Sequence, residues 1–145
     1  MKKLFLASII GSALIVSSAQ AHLEVGKYEG VDQSGKACGF EVTAVRFEGG
    51  VRHPLNERVD IKICEGFNMV LGHAPEIDRD KGEVGFDHHH LSGAVGIKGG
   101  ADAAVIWMEH SPQFEGPRVF HFIHHDYKDA SKNTHTECKD LKKAQ

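Results

Sequence analysis

Cysteine is scarce in this chain. Its three copies, at 38, 64 and 138, form no C-x-x-C pair, which excludes a thioredoxin-like redox site. After residue 21 no segment repeats its apolar residues at the 3.6 spacing of an amphipathic helix. No basic stripe is present, which argues against nucleic acid as a partner. No second apolar run reaches the roughly 20 residues that a membrane-crossing helix needs. Internal repeats and low-complexity tracts are missing as well. So are the G-x-S-x-G elbow, H-E-x-x-H, the phosphate-binding loop and the dinucleotide fingerprint. A nucleophile made from Cys64 and a nearby histidine has no local signature, and carboxylates such as Glu24 and Glu29 read as solvated. The absences together point to a non-enzymatic protein.

What is present begins at the N-terminus. Lys2 and Lys3 supply a positive start, residues 4–16 an apolar stretch, and Ala19-Gln20-Ala21 a small-x-small cleavage site. That is the layout of a bacterial Sec-type signal peptide over residues 1–21. No cysteine follows at the site, so a lipid anchor is not expected. The expected address is periplasmic or secreted, with no membrane span after cleavage. Taking 21 from 145 residues leaves 124, a single domain by length. Without Lys2 and Lys3 the 17 basic residues become 15, against 20 acidic, a formal charge of −5.

Residues 22–145 read as short alternating runs separated by turn residues. Strands are expected at 25–31, 38–47, 58–64, 67–72, 83–88, 94–98, 102–109 and 118–127, with a loop over 74–82 and a polar tail from about 128. Val59, Ile61 and Ile63 alternate with Asp60 and Lys62, and Asp32-Gln33-Ser34-Gly35-Lys36 carries turn chemistry. The fold class is therefore all-β, a single up-and-down barrel of about eight strands; a Greek-key sandwich is the alternative. Matching apolar faces sets Phe40 against Ile63, Val42 against Ile61 and Ala44 against Val59, which turns Cys38 and Cys64 to opposite faces. Cys138 lies 11 residues beyond Tyr127, a reach of roughly 36 Å at most. Cys38–Cys138 is the favoured disulfide, as an oxidising compartment leads one to expect, with Cys64 left over.

Gly26-Lys27-Tyr28 opens the first strand. It resembles the Gly-x-aromatic opening of lipocalin-like barrels, in which the aromatic plugs one end, although those families mostly carry Trp there. The resemblance covers about five residues. It implies a barrel enclosing a small-molecule cavity, for which Tyr28, Phe40, Phe86, Trp107 and Phe122 are the candidate wall residues, core packing being the alternative role for each.

Eleven histidines are several-fold above a typical share of roughly 2 in 100. Residues i and i+2 of a strand share a face, about 6.6 Å apart, so His88-x-His90 and His124-x-Asp126 could each offer two ligands to Zn or Cu. With the first strand pointing up, the expected meander collects His88, His89, His90 and His110 at the top. It puts His22, His53, His73, His124 and His125 at the bottom with Asp126. Cleavage after Ala21 would also make His22 the N-terminus, where amine and imidazole together chelate Cu(II). That arrangement is similar to the histidine brace of copper-dependent polysaccharide monooxygenases and some periplasmic copper carriers. Three functions are thus in view: a secreted barrel binding a small ligand or protein partner, a periplasmic transition-metal binder, and a copper brace protein.

Overall fold

The computed structural model describes residues 23–63, 68–87 and 89–145. Ten strands follow one another: β1 (Gly26–Val31), β2 (Ala37–Phe47), β3 (Glu57–Ile63), β4 (Asn68–Leu71), β5 (Pro75–Asp78), β6 (Glu83–Phe86), β7 (His90–Ile97), β8 (Gly100–Ser111), β9 (Phe114–Asp126) and β10 (Thr134–Lys143). Eight of them form one antiparallel sheet in the order β4-β3-β2-β1-β10-β9-β8-β7. The sheet curls until Gly72, just past β4, exchanges two backbone hydrogen bonds of 3.0 Å with Ser92 of β7. The result is a nearly closed up-and-down barrel, as expected, and not a Greek-key sandwich. Among the described residues no helix is long and apolar enough to cross a membrane.

Local chemistry explains the tight turns. Between β1 and β2, the Asp32 carboxylate accepts from the Ser34 and Lys36 amides at 2.8 and 2.9 Å and from the Ser34 hydroxyl at 2.7 Å. Gly35 supplies the positive φ of 79° that this turn needs. Strand alternation then drives one face inward. Glu57, Val59, Ile61 and Ile63 of β3 are all buried, as are Asp102, Ala104, Ile106 and Met108 of β8. The rings of Tyr28 and Phe40 stack at 5.2 Å, and Phe40 meets Phe120 at 4.9 Å. With Val42, Leu71 and Leu91 these side chains fill the barrel, each contributing about 1.5–3 kcal/mol by burial.

The register of β2 on β3 is as expected at Phe40↔Ile63 and Val42↔Ile61, then shifts by a bulge to Val45↔Val59. Two expectations fail. Residues 74–82 are not simply a loop: β5 there pairs with β6 in a separate hairpin. The strand expected at 83–88 is thus no barrel stave. Its place is taken by the supposed polar tail, which as β10 pairs with both β9 and β1. Only Cys138 and Leu141 of β10 are buried. Asp140 between them adopts φ 54° beside a register shift, which breaks the period-two signal.

Cys38 and Cys138 form a disulfide with Cα atoms 5.9 Å apart, joining the two strands that flank β1. Gly30 of β1 makes room for it: a Cβ there would lie 3.2 Å from the Cys138 sulfur and 2.2 Å from the Lys139 carbonyl oxygen. Closing a loop of separation 100 stabilises by up to about 4.7 kcal/mol in the chain-entropy account. Cys64 lies outside the described residues.

Candidate functional site

The barrel has two unlike ends. The β1–β2, β7–β8 and β9–β10 connections lie at the upper end; residues 48–56, the β5–β6 hairpin, the start of β7 and the β8–β9 turn lie at the lower. The expected sorting of histidines is corrected by this arrangement. His124 and Asp126 are at the upper end, while His90 and His110 share the lower end with His53 and His73. The β5–β6 hairpin is responsible: it leaves the sheet and returns, so counting its second strand as a stave inverts every later turn.

Of the metal candidates, His22 and His88 lie outside the described residues. His90 and His110 do come near one another. With His89, Trp107, Met108, Glu109, Arg118 and Val119 they line an open groove of about 620 Å³. The His89 and His110 rings lie 5.9 Å apart, and His90 and Trp107 5.6 Å. The His90 Nδ1–H donates to the Asp87 carboxylate at 2.6 Å, and Arg118 pairs with Glu109. At the other end His124 and Asp126 do not act as a pair. The Asp126 carboxylate accepts from the Lys128 and Asp129 amides at 2.8 and 2.9 Å, which hold its pKa below the ordinary value. Among the described residues no three His, Cys, Asp or Glu side chains converge as a metal-holding group.

The cavity candidates also separate. Tyr28 and Phe40 are buried core, and the Tyr28 hydroxyl donates to the Glu24 carbonyl at 3.0 Å. Trp107 is on the outer face, 49 % exposed, and is a correction to the expected wall. Phe86 belongs to β6, outside the barrel sheet. Phe122 does face inward, half-buried against the core, in the upper half.

Beside Phe122 lies the group that sequence reasoning missed. Asp102 is 1 % exposed. It sits across the ladder from Val95 of β7 and His124 of β9, on the inward face that continues through Ala104 and Ile106. Its Oδ1 accepts from the His124 Nδ1–H at 2.7 Å. Its Oδ2 is buried, and no hydrogen bond reaches it. Buried carboxylate oxygens are almost always satisfied, because an unmet one costs about 1–3 kcal/mol or more. The surroundings are graded: Val95 is 38 % exposed and the His124 side chain 32 %, so the pair lies near the upper end, between core and solvent. An apolar wall, one half-exposed imidazole and one unsatisfied acceptor form the chemistry of a recognition site for a hydrogen-bond donor.

A second buried acid–histidine pair occupies the lower end. Glu57 is 2 % exposed and His73 has 8 % of its side chain exposed, with Nε2 3.2 Å from the carboxylate. The other ring nitrogen, Nδ1, is 2.9 Å from the Asp87 carbonyl. Both partners are acceptors, so only the doubly protonated ring satisfies both. Burial opposes that charge, but the Glu57 and Asp87 hydrogen bonds outweigh it and the His73 pKa lies above the ordinary histidine value.

No family model matches this chain, and no curated protein or solved structure matches it either.

Proposed function

We propose that this protein is an exported, non-enzymatic β-barrel that binds a small ligand in its upper mouth. The ligand carries a cationic or hydrogen-bond-donating group for Asp102 and an apolar body for Phe122, Val95 and Ile97. One observation carries the reading: the Asp102 Oδ2 is buried without a hydrogen bond, on the inward face of the barrel. A donor from a ligand would turn that cost into a charge-assisted hydrogen bond worth about 1.5–3 kcal/mol. The similarity of Gly26-Lys27-Tyr28 to the lipocalin-like opening supports the same polarity, with Tyr28 closing one end and the opposite end receiving ligand. The signal-like N-terminus supports a periplasmic or secreted setting.

The test uses dansylcadaverine, a primary amine on an aromatic body. Saturable fluorescence enhancement is expected with the purified protein, and Asp102→Asn should weaken it about tenfold or more, the equivalent of about 1.4 kcal/mol. Dansylglycine, with a carboxylate in place of the amine, should bind worse than the amine probe. Trp107→Ala, in the outer groove, should leave binding unchanged. Equal binding by wild type and Asp102→Asn, or loss of binding on Trp107→Ala alone, would move the site out of the barrel mouth and sink this reading.

A further inference from the structure

We propose that His121 and His135 form a chelating site for a divalent transition-metal ion, of the Cu(II) or Ni(II) kind, on the outside of the barrel. The site is separate from the mouth and does not depend on it. His121 alternates along β9 with the inward Phe120 and Phe122, and so faces out. In the β9–β10 ladder His121 stands opposite Glu137, and Ile123 opposite His135. The two imidazoles are therefore diagonal neighbours on one outer surface. Their rings stack at 5.1 Å with planes 26° apart, and the His121 Nδ1 lies 2.9 Å from the His135 Nε2.

That separation has chemical meaning. Two metal–nitrogen bonds of about 2.0–2.1 Å that meet at about 90° put their nitrogens about 2.9 Å apart. A tetrahedral angle would need about 3.3 Å. With each ring turned so that its lone pair leaves the N–N line, the pair can take adjacent corners of a square-planar or octahedral ion. In the free protein a hydrogen bond spans the gap, one ring donating and the other accepting. To take an ion, the donor ring shifts its proton to its other nitrogen, and both rings bind as neutral imidazoles with no net proton release.

The β10 side of the site is held in advance. The Gln33 side chain, from the β1–β2 turn, donates to the His135 carbonyl at 2.8 Å and accepts from the Glu137 amide at 3.0 Å. One amide thus clamps the backbone at both β10 residues, the kind of support that fixes a ligand's position. Water fills the remaining positions; the Glu137 carboxylate, on the residue opposite His121 in the ladder, is 2.6 Å from the Lys139 ammonium.

The test is to titrate Cu(II) alone into the purified, untagged protein while recording imidazole and amide magnetic resonance spectra. Substoichiometric copper should broaden the His121 and His135 signals first. His121→Asn and His135→Asn should each weaken binding by more than about tenfold, with circular dichroism unchanged, and His90→Asn should leave it unaltered. Broadening centred elsewhere, including at the N-terminus, would overturn the proposal, as would undiminished affinity in both variants. The wild-type broadening pattern decides the matter even if a variant folds poorly.

Discussion

Two buried carboxylates face the barrel interior from opposite ends, and each meets one histidine. Glu57, 2 % exposed, holds His73; Asp102, 1 % exposed, holds His124. The lower pair is closed. The His73 ring is almost wholly buried, an acceptor stands on each side of it, and the resulting charge pair ties β3 to the chain leaving β4 and to Asp87 beyond the hairpin. The upper pair is open. His124 keeps a third of its side chain in solvent, and the second Asp102 oxygen has no hydrogen bond. A carboxylate with a histidine thus makes a structural clasp where every polar group is matched, and the proposed binding site where one is left over.

The largest effect should come from the closed pair. His73→Ala leaves a buried carboxylate without its counter-charge and should cost about 3–5 kcal/mol in chemical denaturation. His124→Ala removes a partner that solvent partly replaces, and should cost about 1–3 kcal/mol. Equal losses would erase the distinction. The pH profile sharpens it further. Because the folded pKa of His73 is raised, its stabilisation is complete below about 6.5 and is lost as pH rises through the folded value, by about 1.4 kcal/mol per unit of elevation. His73→Gln should abolish that decline in melting temperature between pH 6 and 9. The smallest change in stability, within about 1 kcal/mol, should follow Asp102→Asn, because the substitution removes a charge that is already poorly satisfied. A large loss from Asp102→Asn would make the upper pair a second clasp.

Much of the fold was legible in the residues. Val59, Ile61 and Ile63 alternate plainly, and the apolar match with Phe40 and Val42 set the β2–β3 register up to the bulge that follows Val42. From that register the Cys38–Cys138 pairing could be favoured. β10 was not legible, because it buries only Cys138 and Leu141 and breaks its alternation at Asp140. Nor was the β5–β6 hairpin: β5 lies in the stretch 74–82 that reads as a loop, and β6 reads as part of a barrel strand over 83–88. That omission reversed the ends to which His90 and His124 were assigned. Asp102 follows the Gly99-Gly100 turn, where an acid reads as solvated. Its inward face could be known only once Ala104 and Ile106, rather than Val105 and Trp107, were seen to point into the core. His124 falls in the strand expected over 118–127, yet its partner lies 22 residues back in the sequence, beyond any local spacing rule.

The barrel is joined along two lines of very different strength. At β1–β10 the sheet is laced by a ladder and bolted by the disulfide across β1. At β4–β7 one isolated bridge, Gly72–Ser92, hydrogen-bonds the edges among the described residues, and Gly93 lets them approach: a Cβ there would stand 2.3 Å from the Val70 carbonyl. Mechanically the molecule is a curled ribbon with a riveted hem on one side and a single hook on the other. Amide hydrogen exchange is therefore expected to be faster along the hook, at β4 and β7, than in β1, β2, β9 and β10, which form the spine. The upper mouth adjoins that line, since Val95, which faces Asp102, stands on the same strand as Ser92. The proposed site thus rests partly on the spine, through His124, and partly on the strand at the hook, through Val95.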